Sequence, residues 1–368
     1  MTLTLDSAAP AASTPAKLAT VDCDLHPTPR SPNDLLPFLS QRWQSHLRDY
    51  GSHIRQGISG QEIHPRMDGR GMRLDAFPET GPAGSDLGLM QRQHLDANDI
   101  GAGTLIALGP SVSDERNLDY GAALARAVNQ WQLAAWVEPD PRLHAGIIVT
   151  QEDPAAAVAE IDYWAADPRF SHIMLSPKPI EPLGRRRYWP IYEAACRAGL
   201  PVVFHPVIPG GGHPSSGIGW PTFYIQDHYT SGPLYQNIAM SMVFEGVFEK
   251  FPELKVVFVE GGFTWVPHMT WRFDRQWERM RSEVPHVKKK PSEYLRQNTW
   301  FTTQPMEECR TPGQLREIIE WIGFDRVLYS SDYPHWDYDD PKYAFKLRLS
   351  DEERQMIFSG NARRAYRL

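Results

Sequence analysis

Four short segments of the chain carry side chains that bind cations or move protons, and each closes an apolar run. In Val21-Asp22-Cys23-Asp24-Leu25-His26-Pro27, Asp24 and His26 stand two residues apart. On an extended strand both point to the same side. Phe204-His205-Pro206 ends a second run, Glu260-Gly261-Gly262 a third, and Ser330-Ser331-Asp332-Tyr333-Pro334-His335 a fourth. Carboxylates together with imidazoles are the donor set of a divalent transition-metal site. Singly, each residue has an ordinary explanation. A strand-end aspartate forms turns or caps helices, a lone histidine packs in a core, and Glu260 before two glycines is a turn residue. Four such residues, each at the end of an apolar run, call for a common one.

That donor set supports three chemistries. A cation held by Asp24, His26, His205 and Asp332, with one position open, lowers the pKa of bound water toward ~7. Asp332 can then accept the proton and pass it to a leaving group. Alternatively, the cation chelates a substrate carboxylate and a neighbouring oxygen while Asp332 protonates carbon as carbon dioxide departs. If instead Glu260 bridges, with His335 or His228 adding a nitrogen, two irons fit and oxygen chemistry follows. Carboxylate ligands move the preference from zinc toward manganese or iron.

Residues on the substrate side are less distinctive. Arg30, Arg66, Arg70 and Arg73 could hold an anionic group by forked contact, or be solvated surface charge. Trp220, Tyr224, His228 and Trp336 could line a pocket for a ring, or pack in the core. Arg185-Arg186-Arg187 and Lys288-Lys289-Lys290 read as solvated charge on an acidic protein.

The elements that must position these residues form a regular series. Eight apolar runs occur: Leu18–Cys23, Gly103–Leu108, Ala145–Val149, His172–Leu175, Pro201–His205, Lys255–Glu260, Thr299–Thr302 and Arg326–Ser330. They do not alternate with polar residues, which is how strands covered on both faces read. Amphipathic segments lie between them, such as Ser113–Val137, Pro154–Ala166, Tyr188–Ala198, Thr311–Ile322 and Ser350–Tyr366. Eight strands each followed by a helix describe a (β/α)8 TIM barrel, an α/β fold with its sites at the C-terminal strand ends. A doubly wound sheet would show a glycine-rich turn after the first strand, where Asp-Leu-His-Pro stands instead. Two connections, 27–85 and 206–232, are too long for turns and are expected to be lids or pocket walls after strands 1 and 5. Residues 1–17 read as a disordered tail, leaving 18–368 as one barrel domain.

The 368 residues are 41% hydrophobic and 23% charged, an ordinary globular composition. The net charge of −7 argues against a nucleic-acid partner. No apolar run is long enough for a membrane span. The tail lacks the features of a secretory signal, so a cytoplasmic location is the default expectation. Three cysteines without a CxxC pair exclude a disulfide framework or thiolate zinc site.

The sequence resembles the amidohydrolase superfamily, in the branch containing aminocarboxymuconate-semialdehyde decarboxylase and related aromatic-acid decarboxylases. The resemblance rests on the four segments above, with Trp265 and Pro267 after the third and Gly360-Asn361-Ala362-Arg363-Arg364-Ala365-Tyr366 at the end. It implies that Asp24 and His26 are the first-strand ligands, His205 the fifth-strand ligand, and Asp332 the eighth-strand ligand and proton carrier. Where the family usually has a histidine before the Gly-Gly of the sixth strand, this chain has Glu260. No lysine ends strand four (Lys178 lies beyond it), so a carboxylated-lysine binuclear centre is not expected. The family also implies a homodimer acting on a small-molecule substrate. The expectation is therefore an enzyme with one or two Zn, Mn or Fe ions. Hydrolysis of a small organic acid, ester or amide stands first, nonoxidative decarboxylation second and nonhaem iron oxygenation third. A barrel that has lost catalysis and only binds is the remaining class.

Overall fold

A computed structural model describes residues 19–50, 71–110, 112–113, 115–206 and 222–368. The tail expected over 1–17 and the candidates Arg66, Arg70 and Trp220 lie outside these residues. Each of the eight apolar runs overlaps a strand: β1 (Thr20–Leu25), β2 (Ile100–Leu105), β3 (Leu143–Ile148), β4 (Phe170–Leu175), β5 (Val202–Phe204), β6 (Val256–Phe258), β7 (Thr299–Thr302) and β8 (Val327–Leu328). They pair in chain order, all parallel. The ring closes beyond β8, where Cys23 N–H donates to Tyr329 O at 3.1 Å and His26 N–H to Tyr333 O at 2.9 Å. The fold is a (β/α)8 barrel, and every residue of β4 to β8 is buried. β1 begins two residues later than expected and runs to Leu25, so the sheet reaches the residue before His26.

Helices cover the strands, and four of them start at side-chain caps. Asn117 accepts from Tyr120 N–H to open Leu118–Gln132, later than the Ser113 start expected. Asp153 caps Pro154–Trp164, and Thr311 and Ser350 form capping boxes with Gln314 and Glu353. Phe204, Phe258 and Phe301 stand in register on three adjacent strands and stack at 5.8 and 5.6 Å. Phe258 packs against Tyr235 and Trp265 of the covering helices Ser231–Phe244 and Trp265–Met280. That row faces outward, so the next residue, His205, is turned toward the barrel axis. Among the described residues, no helix is long and apolar enough to cross a membrane.

The described part of the first long connection holds the helix Gln41–Tyr50 and two 3-10 turns. It is sewn to the barrel mouth by backbone bonds, Thr28 N–H to Gly84 O at 2.8 Å and Trp336 N–H to Gly71 O at 2.9 Å. Gly84 has φ +78°, and a Cβ there would meet His26 O at 2.5 Å, so only glycine fits. At the other end of the chain, the buried Asn361 amide donates to Phe324 O at 2.7 Å and Val327 O at 2.8 Å. It latches the C-terminal helix to β8. Asn361→Ala is expected to lower unfolding free energy by about 1–3 kcal/mol, measured by denaturant titration. An unchanged midpoint would contradict the latch.

Candidate metal centre

The first, fifth, sixth and eighth strands deliver their end residues to one point. Asp24, His26, His205 and Glu260 each place a donor atom within 4.8 Å of the others, and His26, Asp332 and His335 form a second such group. The contacts run as a chain. Asp332 Oδ1 lies 2.7 Å from His26 Nε2, which is 3.1 Å from Asp24 Oδ1. Asp24 Oδ1 lies 3.5 Å from His205 Nε2, which is 2.9 Å from Glu260 Oε2. His335 Nδ1 closes against Asp332 Oδ1. The structure thus brings together every residue expected as a metal ligand, with His335 beside them.

The imidazoles are aimed by backbone carbonyls. His26 Nδ1 pairs with Ile106 O at 2.9 Å and His205 Nδ1 with Pro206 O at 2.5 Å. Each bond orients the ring so that Nε2 faces the cluster, the arrangement of a metal-ligating histidine. Both carboxylate oxygens of Asp24 and Nε2 of His205 are buried and, although His26 and Glu260 lie within ion-pair distance, none has a partner in hydrogen-bond geometry. Buried polar atoms are almost always satisfied. A divalent cation satisfies all three together, so the residues present fit such an ion.

Glu260 and Asp332 share an unusual backbone, with φ of 57° and 62°. Such left-handed conformations are uncommon outside glycine and cluster at functional sites. At Glu260 the reason is visible. It stands two residues after the outward-facing Phe258, so extended backbone would turn it outward as well. The left-handed turn brings its carboxylate back to His205. Thr302 Oγ1 holds the Glu260 N–H at 3.1 Å, and Glu307 accepts from Phe263 and Thr264 N–H at 2.8 and 2.6 Å.

Charge follows the same geometry. Burial works against the imidazolium of His205, yet Asp24 and Glu260 push it up to about 9. His26 is likewise raised against burial by Asp24 and Asp332. Burial raises and His335 and His26 lower Asp332, leaving it below the usual carboxylate range. Glu260 is raised, chiefly by burial and by Asp332.

The substrate-side candidates separate into two groups. Tyr224, His228 and Trp336 pack against one another. Trp336 Nε1–H donates to Tyr224 Oη at 3.2 Å, and the Tyr224 and His228 rings stack at 5.7 Å. His228 Nε2 lies 3.0 Å from Asp337 Oδ2 and is raised first by that hydrogen bond. By contrast, Arg30 is largely exposed and faces Asp86 at 3.4 Å. Arg73 forks onto Asp75 and lies over the Tyr338 ring at 4.8 Å. Neither arginine joins the cluster.

Several contributors were not anticipated. Gln304, buried at the end of the β7 segment, donates to Asp332 Oδ2 and Asp337 Oδ2, both at 3.0 Å. It couples the cluster to His228 through Asp337. Its signal was its position after a strand, the same signal that exposed His205. Asp22 and Tyr235 also touch the ligand-bearing backbone.

Comparisons with known proteins show the family. The amidohydrolase family model matches residues 21–368, and the chain belongs to that family. A gamma-resorcylate decarboxylase from Polaromonas is 25% identical over 287 residues, covering 74% of this chain and 85% of that protein. A 2-keto-4-carboxy-3-hexenedioate hydratase from Sphingobium is also 25% identical, over 71% and 75%. Among solved structures, 5-carboxyvanillate decarboxylase from Sphingomonas paucimobilis superposes with a TM-score of 0.69 at 22% identity, over 95% of this chain and 99% of that one. A manganese-bound dihydroxybenzoic acid decarboxylase from Polaromonas gives 0.66 at 19%, over 94% and 96%. The chain is an enzyme of the amidohydrolase family, within the range of metal-dependent hydrolases and carboxy-lyases.

A cation must displace protons from His205 and His26, because a protonated imidazole cannot ligate. With His205 at about 9, metal binding at pH 7 is expected to release protons. Apparent affinity should therefore tighten as pH rises toward 9. Calorimetry in two buffers of different ionisation enthalpy reads the release directly. Heats that do not depend on the buffer would contradict the assignment.

Proposed function

We propose that the chain is a metal-dependent, nonoxidative decarboxylase of an aromatic acid. The observation that carries the reading is the position of the Asp332–His335 pair. It borders the carboxylate–imidazole cluster, and Trp336 of the packed aromatic rings directly follows His335. The curated relatives add weight, since gamma-resorcylate decarboxylases recur among them. Carbon–carbon cleavage therefore moves ahead of hydrolysis, the first expectation from the residues.

Asp24, His26, His205 and Asp332 would hold the ion, with Glu260 beside them. When bound, it supplies positive charge that anchors a carboxylate and an adjacent oxygen; manganese serves in the Polaromonas structure. The chain's own residues do the rest. Tyr224, His228 and Trp336 offer ring faces to a planar substrate. His228, whose pKa is raised first by its hydrogen bond to Asp337, stands beside the other two. Asp332 and His335 hold a proton between them and deliver it to the ring carbon that bears the carboxylate. The bond to that carbon breaks, its electron pair stays with the ring, and carbon dioxide leaves.

A second reading rests on the second ligand group, His26, Asp332 and His335, next to the first. The two groups share His26, whose one free ring nitrogen can hold a single ion, so a second ion would be left to Asp332, His335 and Glu260; two irons per chain with oxygen-dependent turnover would favour oxygenation.

The test is turnover of 2,6-dihydroxybenzoate and 5-carboxyvanillate by manganese-loaded protein. Release of carbon dioxide in deuterated water, with one deuteron on the vacated ring carbon, is expected. Asp332→Asn should lower kcat about 10²–10⁴-fold. No carbon dioxide from either acid, with turnover of an ester or amide that takes up oxygen from labelled water, would show hydrolysis instead.

A further inference from the structure

The four ligand-bearing segments are joined in two pairs, each by one buried side chain outside the ligand set. Asp22 joins the first pair. Its Oδ1 accepts from the N–H of Asp24 at 3.0 Å and from the N–H of Ser331 at 3.0 Å. Ser331 is the residue before Asp332, so one carboxylate oxygen fixes the backbone at two ligands. The other oxygen, Oδ2, lies 2.6 Å from His94 Nε2, and His94 Nδ1 lies 2.9 Å from Tyr338 Oη. Asp22 and His94 are both fully buried.

Tyr235 joins the second pair. Its hydroxyl is 3.0 Å from Phe204 O and 2.5 Å from Val259 O, and its O–H is shared between them. These carbonyls belong to the residues before His205 and Glu260. The ring is wedged against Gly261, where a Cβ would stand 1.9 Å from Tyr235 Cδ2. Glycine at 261 and tyrosine at 235 are thus matched, and together they set where Glu260 leaves β6.

We infer that Asp22 and Tyr235 are positioning residues whose task is to hold the ligand segments at the separation that binds the cation. Metal affinity depends on such orienting bonds, and losing one costs roughly 10–100-fold in affinity. A bond that served folding alone would change stability and leave the affinity of the folded protein unchanged. The inference rests on the cluster being a metal site.

The experiment measures manganese dissociation constants by chelator competition, alongside thermal unfolding. Wild type, Tyr235→Phe, Asp22→Ala, Asp22→Asn and Tyr192→Phe are compared. Tyr192 is a control, since its buried hydroxyl donates to Leu183 O at 2.7 Å in a bond to a different loop. Tyr235→Phe and Asp22→Ala are expected to bind manganese roughly 10–100-fold more weakly. Asp22→Asn keeps an oxygen that accepts both N–H groups and should stay close to wild type. Tyr192→Phe should lose stability without losing affinity. If Asp22→Ala does not fold, Tyr235→Phe decides, because it removes one atom and keeps the ring on Gly261. Unchanged affinity in a destabilised Tyr235→Phe would overturn the inference alone. No manganese binding by wild type would overturn the metal site and the inference with it.

Discussion

The structure turns on the burial of Asp24. Its carboxylate is fully buried, with only the imidazoles of His26 and His205 close to it and neither in hydrogen-bond geometry. An isolated buried charge is too costly to leave uncompensated. Two further carboxylates, Glu260 and Asp332, crowd the same point. The histidines between them answer part of that charge when protonated. A divalent cation answers it more completely and frees His26 and His205 to act as neutral ligands.

The rest of the barrel can be understood as what keeps these groups together. Closure between β8 and β1 runs through His26 and Tyr333, so barrel and site close in the same bonds. Two left-handed residues, Glu260 and Asp332, bend their carboxylates back toward the axis. Each departure from ordinary backbone is held by neighbours on other strands. Thr302 on β7 takes the Glu260 N–H, and Gln304 beyond it takes Asp332. β7 carries no ligand, yet it steadies two. The glycines at 84 and 261 are needed because backbone and ring approach too closely for a side chain.

Much of this was legible in the sequence, for a physical reason. Strands buried on both faces are apolar throughout, so a charged residue at their end stands out. Asp24, His26, His205, Glu260 and Asp332 were visible in that way. Gln304 was overlooked because an amide does not titrate or ligate strongly. Asp22 was read only as part of the Asp-x-Asp-x-His run, since spacing says nothing of its bond to Ser331. Tyr235 lies 31 residues from Phe204, on a helix whose rotation the sequence did not reveal. The sequence leaves Arg30 as an anion holder or as solvated surface charge, and it stands largely exposed beside Asp86. The backbone turn that makes Glu260 a site residue instead of an outward one was equally invisible.

The cluster around Asp24 has the makeup of a divalent-cation site. Elemental analysis of protein purified without added metal or chelator tests it most directly. About one equivalent of transition metal per chain is expected, lost in Asp24→Ala and in His205→Ala. Metal-free protein that is fully active, or variants that keep the full equivalent, would contradict the account.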